Sequence, residues 1–147
     1  MKRLLKYLCL LNIIGFSFVS ATLIIYYLNK PFAWGELMIS LNLLTSIPFI
    51  ISGIITLKNI DNPNSKQSKL ILIFVFSMLF LPSIALPFAY EIGGLLICLS
   101  ILGIGIFVIF KLKVPIKRLI FINNVGLFFL FLNSYIVINT LLELNYI

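Results

Sequence analysis

The sequence predicts an all-α, polytopic integral membrane protein, a bundle of five transmembrane helices with a cytoplasmic N-terminus, an extracytoplasmic C-terminus and no soluble domain. Three observations lead there. Of 147 residues, 62% are hydrophobic and only 10% charged, with a mean hydropathy of +1.20, whereas a soluble domain carries about 25% charged residues. The apolar residues fall in runs long enough to span a bilayer, which takes about 20 residues. The basic residues gather at alternate ends of those runs, as orientation by positive charge requires.

The first span is Tyr7 to Leu28, behind the basic segment Met1-Lys2-Arg3-Leu4-Leu5-Lys6. Val19-Ser20-Ala21 resembles the small-residue pattern before a signal cleavage site, but Leu23 to Leu28 stays apolar beyond it. A signal peptide has a shorter apolar core, so the segment is expected to be retained as a helix. Asn29 to Glu36 forms a turn-rich loop. The second span is Leu37 to Leu57, and the loop Lys58 to Lys69 after it reads KNIDNPNSKQSK. Its Asn, Pro and Ser residues favour turns over helix.

Leu70 to Phe110 is apolar apart from Glu91. One helix of that length would run about 60 Å, roughly twice the hydrocarbon thickness. It is therefore expected to be two spans, 70–88 and 92–110, folding back between Pro87 and Gly94, with Pro82 kinking the third helix. Lys111 to Arg118 makes the next loop, and Leu119 to Leu142 the fifth span. With the N-terminus inside, every one of the 11 Lys and Arg residues except Lys30 faces the cytoplasm. Glu36, Glu91 and Glu143 fall outside, with Asp61 as the cytoplasmic acid. Tyr26, Tyr27, Trp34, Tyr90 and Tyr146 collect at the outer boundary as interface anchors.

In lipid, helices associate through small residues and side-chain hydrogen bonds. Three predicted helices carry such faces. The first has Asn12, Gly15, Thr22, Tyr26 and Asn29 within about 100° of arc. The second has Asn42, Thr45, Ser46, Ser52, Gly53 and Thr56, and the fifth Asn123, Gly126, Asn133, Ser134 and Thr140. Two readings follow: packing faces that hydrogen-bond across the bundle, or a polar groove for a solute or partner helix. Asn42 and Asn133 need partners in either case, because an unpaired amide in hydrocarbon costs several kcal/mol. Helix four offers Gly94, Cys98 and Gly105 on one side and Gly93, Ser100 and Gly103 on another. At the outer face, Lys30, Glu36, Glu91 and Glu143 read either as solvated helix ends or as a small acidic mouth.

Function is bounded mainly by exclusion. With no histidine, the triad hydrolases and the usual zinc, copper and haem sites lack their imidazole. No glycine motif fits a phosphate, no cofactor is implied, and no enzyme is expected. Cys9 and Cys98 fall near opposite membrane faces, too far apart for a disulfide, which needs α-carbons within about 7 Å. The net charge of +7 comes as clusters beside apolar runs, which points to anionic lipid at the cytoplasmic face and away from nucleic acid. Every ionisable residue lies at a span end, so a proton relay or midplane ion site is not expected.

What remains is a small binding or accessory protein: a subunit of a larger membrane complex, or an immunity protein that intercepts a membrane-active peptide. The alternative is a subunit or homo-oligomer of a small-solute transporter, although internal repeats and broken helices are missing. Richness in Ile, Phe, Asn and Lys fits an AT-rich bacterial genome and placement in a bacterial cytoplasmic membrane, by association alone.

Overall fold

The computed structural model describes residues 1–83 and 86–143, and of 81–83, 86–91, 93–95, 97 and 98 the backbone course only. Five helices follow one another: α1 Lys2–Asn29, α2 Gly35–Lys58, α3 Ser65–Ser83, α4 Leu86–Lys111 and α5 Pro115–Glu143. No strand occurs among the described residues. At 1.5 Å per residue, α1, with 28 residues, is about 42 Å long, enough to exceed the hydrocarbon thickness.

Local chemistry explains the helix ends. Pro31, two residues beyond α1, cannot continue a helix. Trp34, at the N-cap of α2, stands in the left-handed region with φ 65°. The turn around it is closed by Gly35 N–H donating to the Phe32 carbonyl at 3.0 Å. Between α2 and α3, the Asn64 side chain accepts from the Lys66 backbone N–H at 2.8 Å, an Asx-type start for α3. Pro115 opens α5, where its missing N–H costs nothing.

Pro87, Glu91, Gly93 and Gly94 do not mark the break between the third and fourth helices. All four belong to α4, which is already helical at Leu86. Pro87 in the first turn replaces an N–H that would have had no intrahelical acceptor, so it starts this helix instead of ending the previous one. The bend assigned to Pro82, the faces assigned to Gly93, Gly94 and Cys98, and the side chains of Tyr90, Glu91 and Tyr146 lie outside the described residues.

α1 packs mainly against α2 and α5, α3 covers α2 and α5 from another side, and α4 leans chiefly on α3. The core runs through Leu5, Cys9, Phe16, Phe49, Leu72, Val75, Leu119 and Ile122. Phe16 and Phe49 stack with centroids 5.3 Å apart and planes 4° off parallel, and Phe129 lies 5.9 Å from Phe49. A second cluster of Val19, Leu23, Val137 and Leu141 joins α1 to α5 nearer the opposite end. Cys9 is a buried free thiol.

The polarity is inverted relative to a soluble protein. Asn12, Asn42, Ser46, Ser52, Thr56 and Asn123 are buried, while Phe18, Phe107, Phe110 and Phe131 are each more than three-fifths exposed. In water those aromatic surfaces would be a large exposed apolar patch, whereas in lipid they cost nothing. Among the described residues α1, α2 and α5 are long and apolar enough to cross a membrane, and Leu99–Lys111 of α4 is a shorter apolar stretch. The chain thus has the character of a membrane-embedded protein.

The helix ends sort into two groups. Lys2 Nζ donates to the Asp61 carbonyl at 2.8 Å and lies 3.6 Å from its carboxylate, setting the start of α1 beside the α2–α3 loop. Arg118, at the start of α5, reaches Ser65 and Ser68 at the start of α3. At the other end Tyr27 OH donates to Glu36 at 3.1 Å, and Thr140 meets Met38.

Candidate functional site

The polar side chains of α1, α2 and α5 converge into two layers. In the layer nearer the basic end, Asn12 Nδ2 donates to the Asn123 carbonyl at 2.9 Å and to Asn123 Oδ1 at 3.0 Å. Asn123 in turn donates to the Leu119 carbonyl at 2.8 Å, one turn back in its own helix. Both asparagines are wholly buried. Gly126 creates the room: a methyl group there would sit 2.7 Å from Asn12 Nδ2 and 2.8 Å from Phe49 Cδ1. Asn12 Oδ1 has no hydrogen-bond partner among the described residues.

The second layer is a relay of hydroxyls and amides across α1, α2 and α5. Ser20 Oγ donates to Asn42 Oδ1 at 2.6 Å and lies 3.2 Å from Ser46 Oγ. Asn42 Nδ2 reaches Asn133 Oδ1 at 3.3 Å. Asn133 Nδ2 donates to Thr45 Oγ1 at 3.1 Å and to the Phe129 carbonyl at 3.0 Å. Thr45 also bonds its own helix, to the Asn42 carbonyl at 2.9 Å. Asn42 and Asn133 thus satisfy each other across α2 and α5, with α1 contributing Ser20.

The remaining predicted face residues sit apart from these layers. Ser52 donates to the Phe49 carbonyl within α2. Thr56 is buried with its hydroxyl unpartnered among the described residues, and Gly53 lets α2 close on Ile13 and the Cys9 carbonyl. Gly15 faces Leu130 of α5. Thr22 and Thr140 bond carbonyls of their own helices. Thr22, Tyr26 and Ser134 line a recess of about 250 Å³ between α1 and α5. Among the outer charges, Lys30, Glu36 and Glu143 are exposed and Glu91 lies outside the described residues. No three His, Cys, Asp or Glu residues among those described are grouped to hold a metal ion.

Two residues escape sequence reasoning. Ser20 sits in a cleavage-site pattern, yet it is the α1 member of the second layer; its signal was its spacing of eight from Asn12, close to two helical turns. Arg118 reads as a solvated loop charge but is 3% exposed. Its Nε donates to the Leu112 carbonyl, and its Nη1 meets Ser65 Oγ at 3.2 Å and Ser68 Oγ at 3.3 Å. A basic cluster that also has hydroxyls one helix away was the available hint.

Beside the second layer a recess of about 230 Å³ opens between α2 and α5. Asn42, Thr45 and Asn133 line it among apolar walls that include Met38, Leu132 and Ile136. Leu41, Leu132 and Ile136 are exposed at 43%, 36% and 50%, so the recess faces outward from the bundle. Its chemistry is that of a hydrogen-bonding spot within an apolar slot. No family model, no curated protein and no solved structure matches the chain.

Proposed function

We propose that the chain is a five-span protein of a bacterial cytoplasmic membrane, N-terminus inside and C-terminus outside, that acts by binding a partner within the bilayer. The observation that carries the binding reading is the outward-facing recess between α2 and α5 with Asn42, Thr45 and Asn133 on its wall. A transmembrane helix of a larger complex, or a membrane-active peptide, would lay its apolar side into the slot and offer a hydroxyl or carbonyl to Thr45 and Asn133. Accessory-subunit and immunity roles are both of this kind. The polar side chains of each layer are hydrogen-bonded among themselves, which favours binding over solute transport.

The orientation reading draws on the two groups of helix ends. The group holding Lys2, Asp61, Ser65 and Arg118 also holds the other basic residues of the α2–α3 and α4–α5 loops, as the cytoplasmic side should.

The binding reading is tested by capture. A photocrosslinker placed at Leu132, on the rim of the recess, should trap a membrane partner in cells, and one placed at Phe107 on α4 should not. Equal yields from both positions, or none from Leu132, would remove the recess as the binding face. Resistance conferred on a sensitive strain would single out the immunity form.

A further inference from the structure

Arg118 stands in an electrostatic setting that calls for an anion. It lies in the first turn of α5, where a cation opposes the helix dipole. Its guanidinium also meets Ser65, the first residue of α3, so the positive ends of two helices converge on one buried cation. Neither helix has an acid in its first turn; they carry Lys66 and Lys117 instead. Every group that accepts from Arg118 is neutral: the carbonyls of Leu112 and Ser65 and the hydroxyls of Ser65 and Ser68. No carboxylate is among these acceptors, and Asp61, the acid of the adjoining α2–α3 loop, pairs with Lys2.

The Leu112 carbonyl, just beyond α4, supplies part of the missing negative charge as the end of that helix's dipole. It uses Nε, and the serines use Nη1. The Nη2 nitrogen takes part in none of these bonds. A guanidinium with one nitrogen outside these bonds suits a phosphate oxygen, and helix N-termini accept phosphate through their dipoles and free N–H groups.

We propose that Arg118, with Lys66 and Lys117 on the flanking first turns, forms a discrete site for the phosphate of an anionic phospholipid headgroup. A bilayer leaflet at this end of the bundle would present that phosphate at the level of the helix ends. The site differs from diffuse attraction of lysines to an anionic surface because a guanidinium held by α3 and by the Leu112 carbonyl would fix the phosphate in place. It relies on the orientation proposed above only for the choice of leaflet. A lipid site found together with an extracytoplasmic Lys66 would keep the site and sink the orientation.

The test is native mass spectrometry of the full chain in detergent with equimolar phosphatidylglycerol and phosphatidylcholine. One phosphatidylglycerol should be retained in preference. Arg118→Gln should weaken that retention about ten-fold, the worth of one charge-assisted hydrogen bond, whereas Lys6→Gln should leave it unchanged. Should Arg118→Gln fail to fold, the exposed pair Lys66→Gln with Lys117→Gln should lower retention several-fold in folded protein. Equal retention of the two lipids by the unaltered chain, or an equal loss in Lys6→Gln, would overturn the site. Inorganic phosphate alone protecting the chain from thermal unfolding as well as phosphatidylglycerol does would overturn the lipid as its source.

Discussion

Asn12 and Asn123 bond each other through two contacts, 2.9 Å to the backbone and 3.0 Å to the side chain, and by doing so fix how α1 sits against α5. Apolar side chains in lipid discriminate poorly between neighbouring helix registers, since lipid tails are as apolar as leucine. An amide pair discriminates well, because a slip by one residue strands both. Asn123→Leu removes the side-chain contact but leaves the bond to its backbone carbonyl, so it is expected to destabilise the fold by about 0.6–1.7 kcal/mol, the span of interhelical bonds in lipid. Asn12→Leu with Asn123→Leu should cost less than the two single changes summed. Reversible unfolding in mixed detergent micelles reads both, and strict additivity would deny the coupling.

Gly126 and Gly103 make a matched pair for the packing argument. A methyl at Gly126 would fall under 3 Å from both Asn12 and Phe49, while none of the described residues comes within 4 Å of one at Gly103. Gly126→Ala should therefore cost about 1–3 kcal/mol through overpacking. Gly103→Ala should be neutral or stabilise by up to about 1 kcal/mol through helix propensity. Thermal unfolding of the two variants side by side distinguishes them, and a benign Gly126→Ala would show that α1 and α5 are looser there.

Much of the fold is legible in the residue pattern, and what escapes does so for physical reasons. Long apolar runs and turn residues place the helices, and the spacing of Asn42, Thr45 and Ser46 places a polar face on α2. Which helix that face meets is not legible, because hydropathy is nearly uniform around every helix. Pro87 misleads because proline ends one helix and begins the next with equal ease. Arg118 misleads because charge bias reports which side of a membrane a residue lies on, and says nothing of whether a neighbouring helix covers it.

Ser20 gives α1 a structural role. Its hydroxyl is the α1 contribution to the second polar layer, and cleavage after Ala21 would remove it along with Asn12 and Phe16. The intact mass of the purified chain should therefore include Met1 to Ala21, with allowance for the initiator methionine. A mass beginning at Thr22 would contradict the α1 packing. Ser20→Ala should be mild, about 0.6–1.7 kcal/mol, because Ser46 still bonds Asn42, at 3.4 Å.

Thr45→Val separates the binding role of the recess from its packing role. The hydroxyl of Thr45 takes part in the relay with Asn133, but Asn133 keeps its bond to the Phe129 carbonyl and its contact with Asn42. The isosteric change should therefore leave a folded protein, weakened by about 1 kcal/mol. It also removes the one hydroxyl that the described residues place on the wall of the recess. On the binding reading, crosslinking from Leu132 should fall well beyond what the lost stability explains, while detergent-extracted protein keeps its unfolding midpoint within a few degrees. Crosslinking that persists undiminished would mean the partner reads the apolar walls alone, and the polar wall would then belong to the fold.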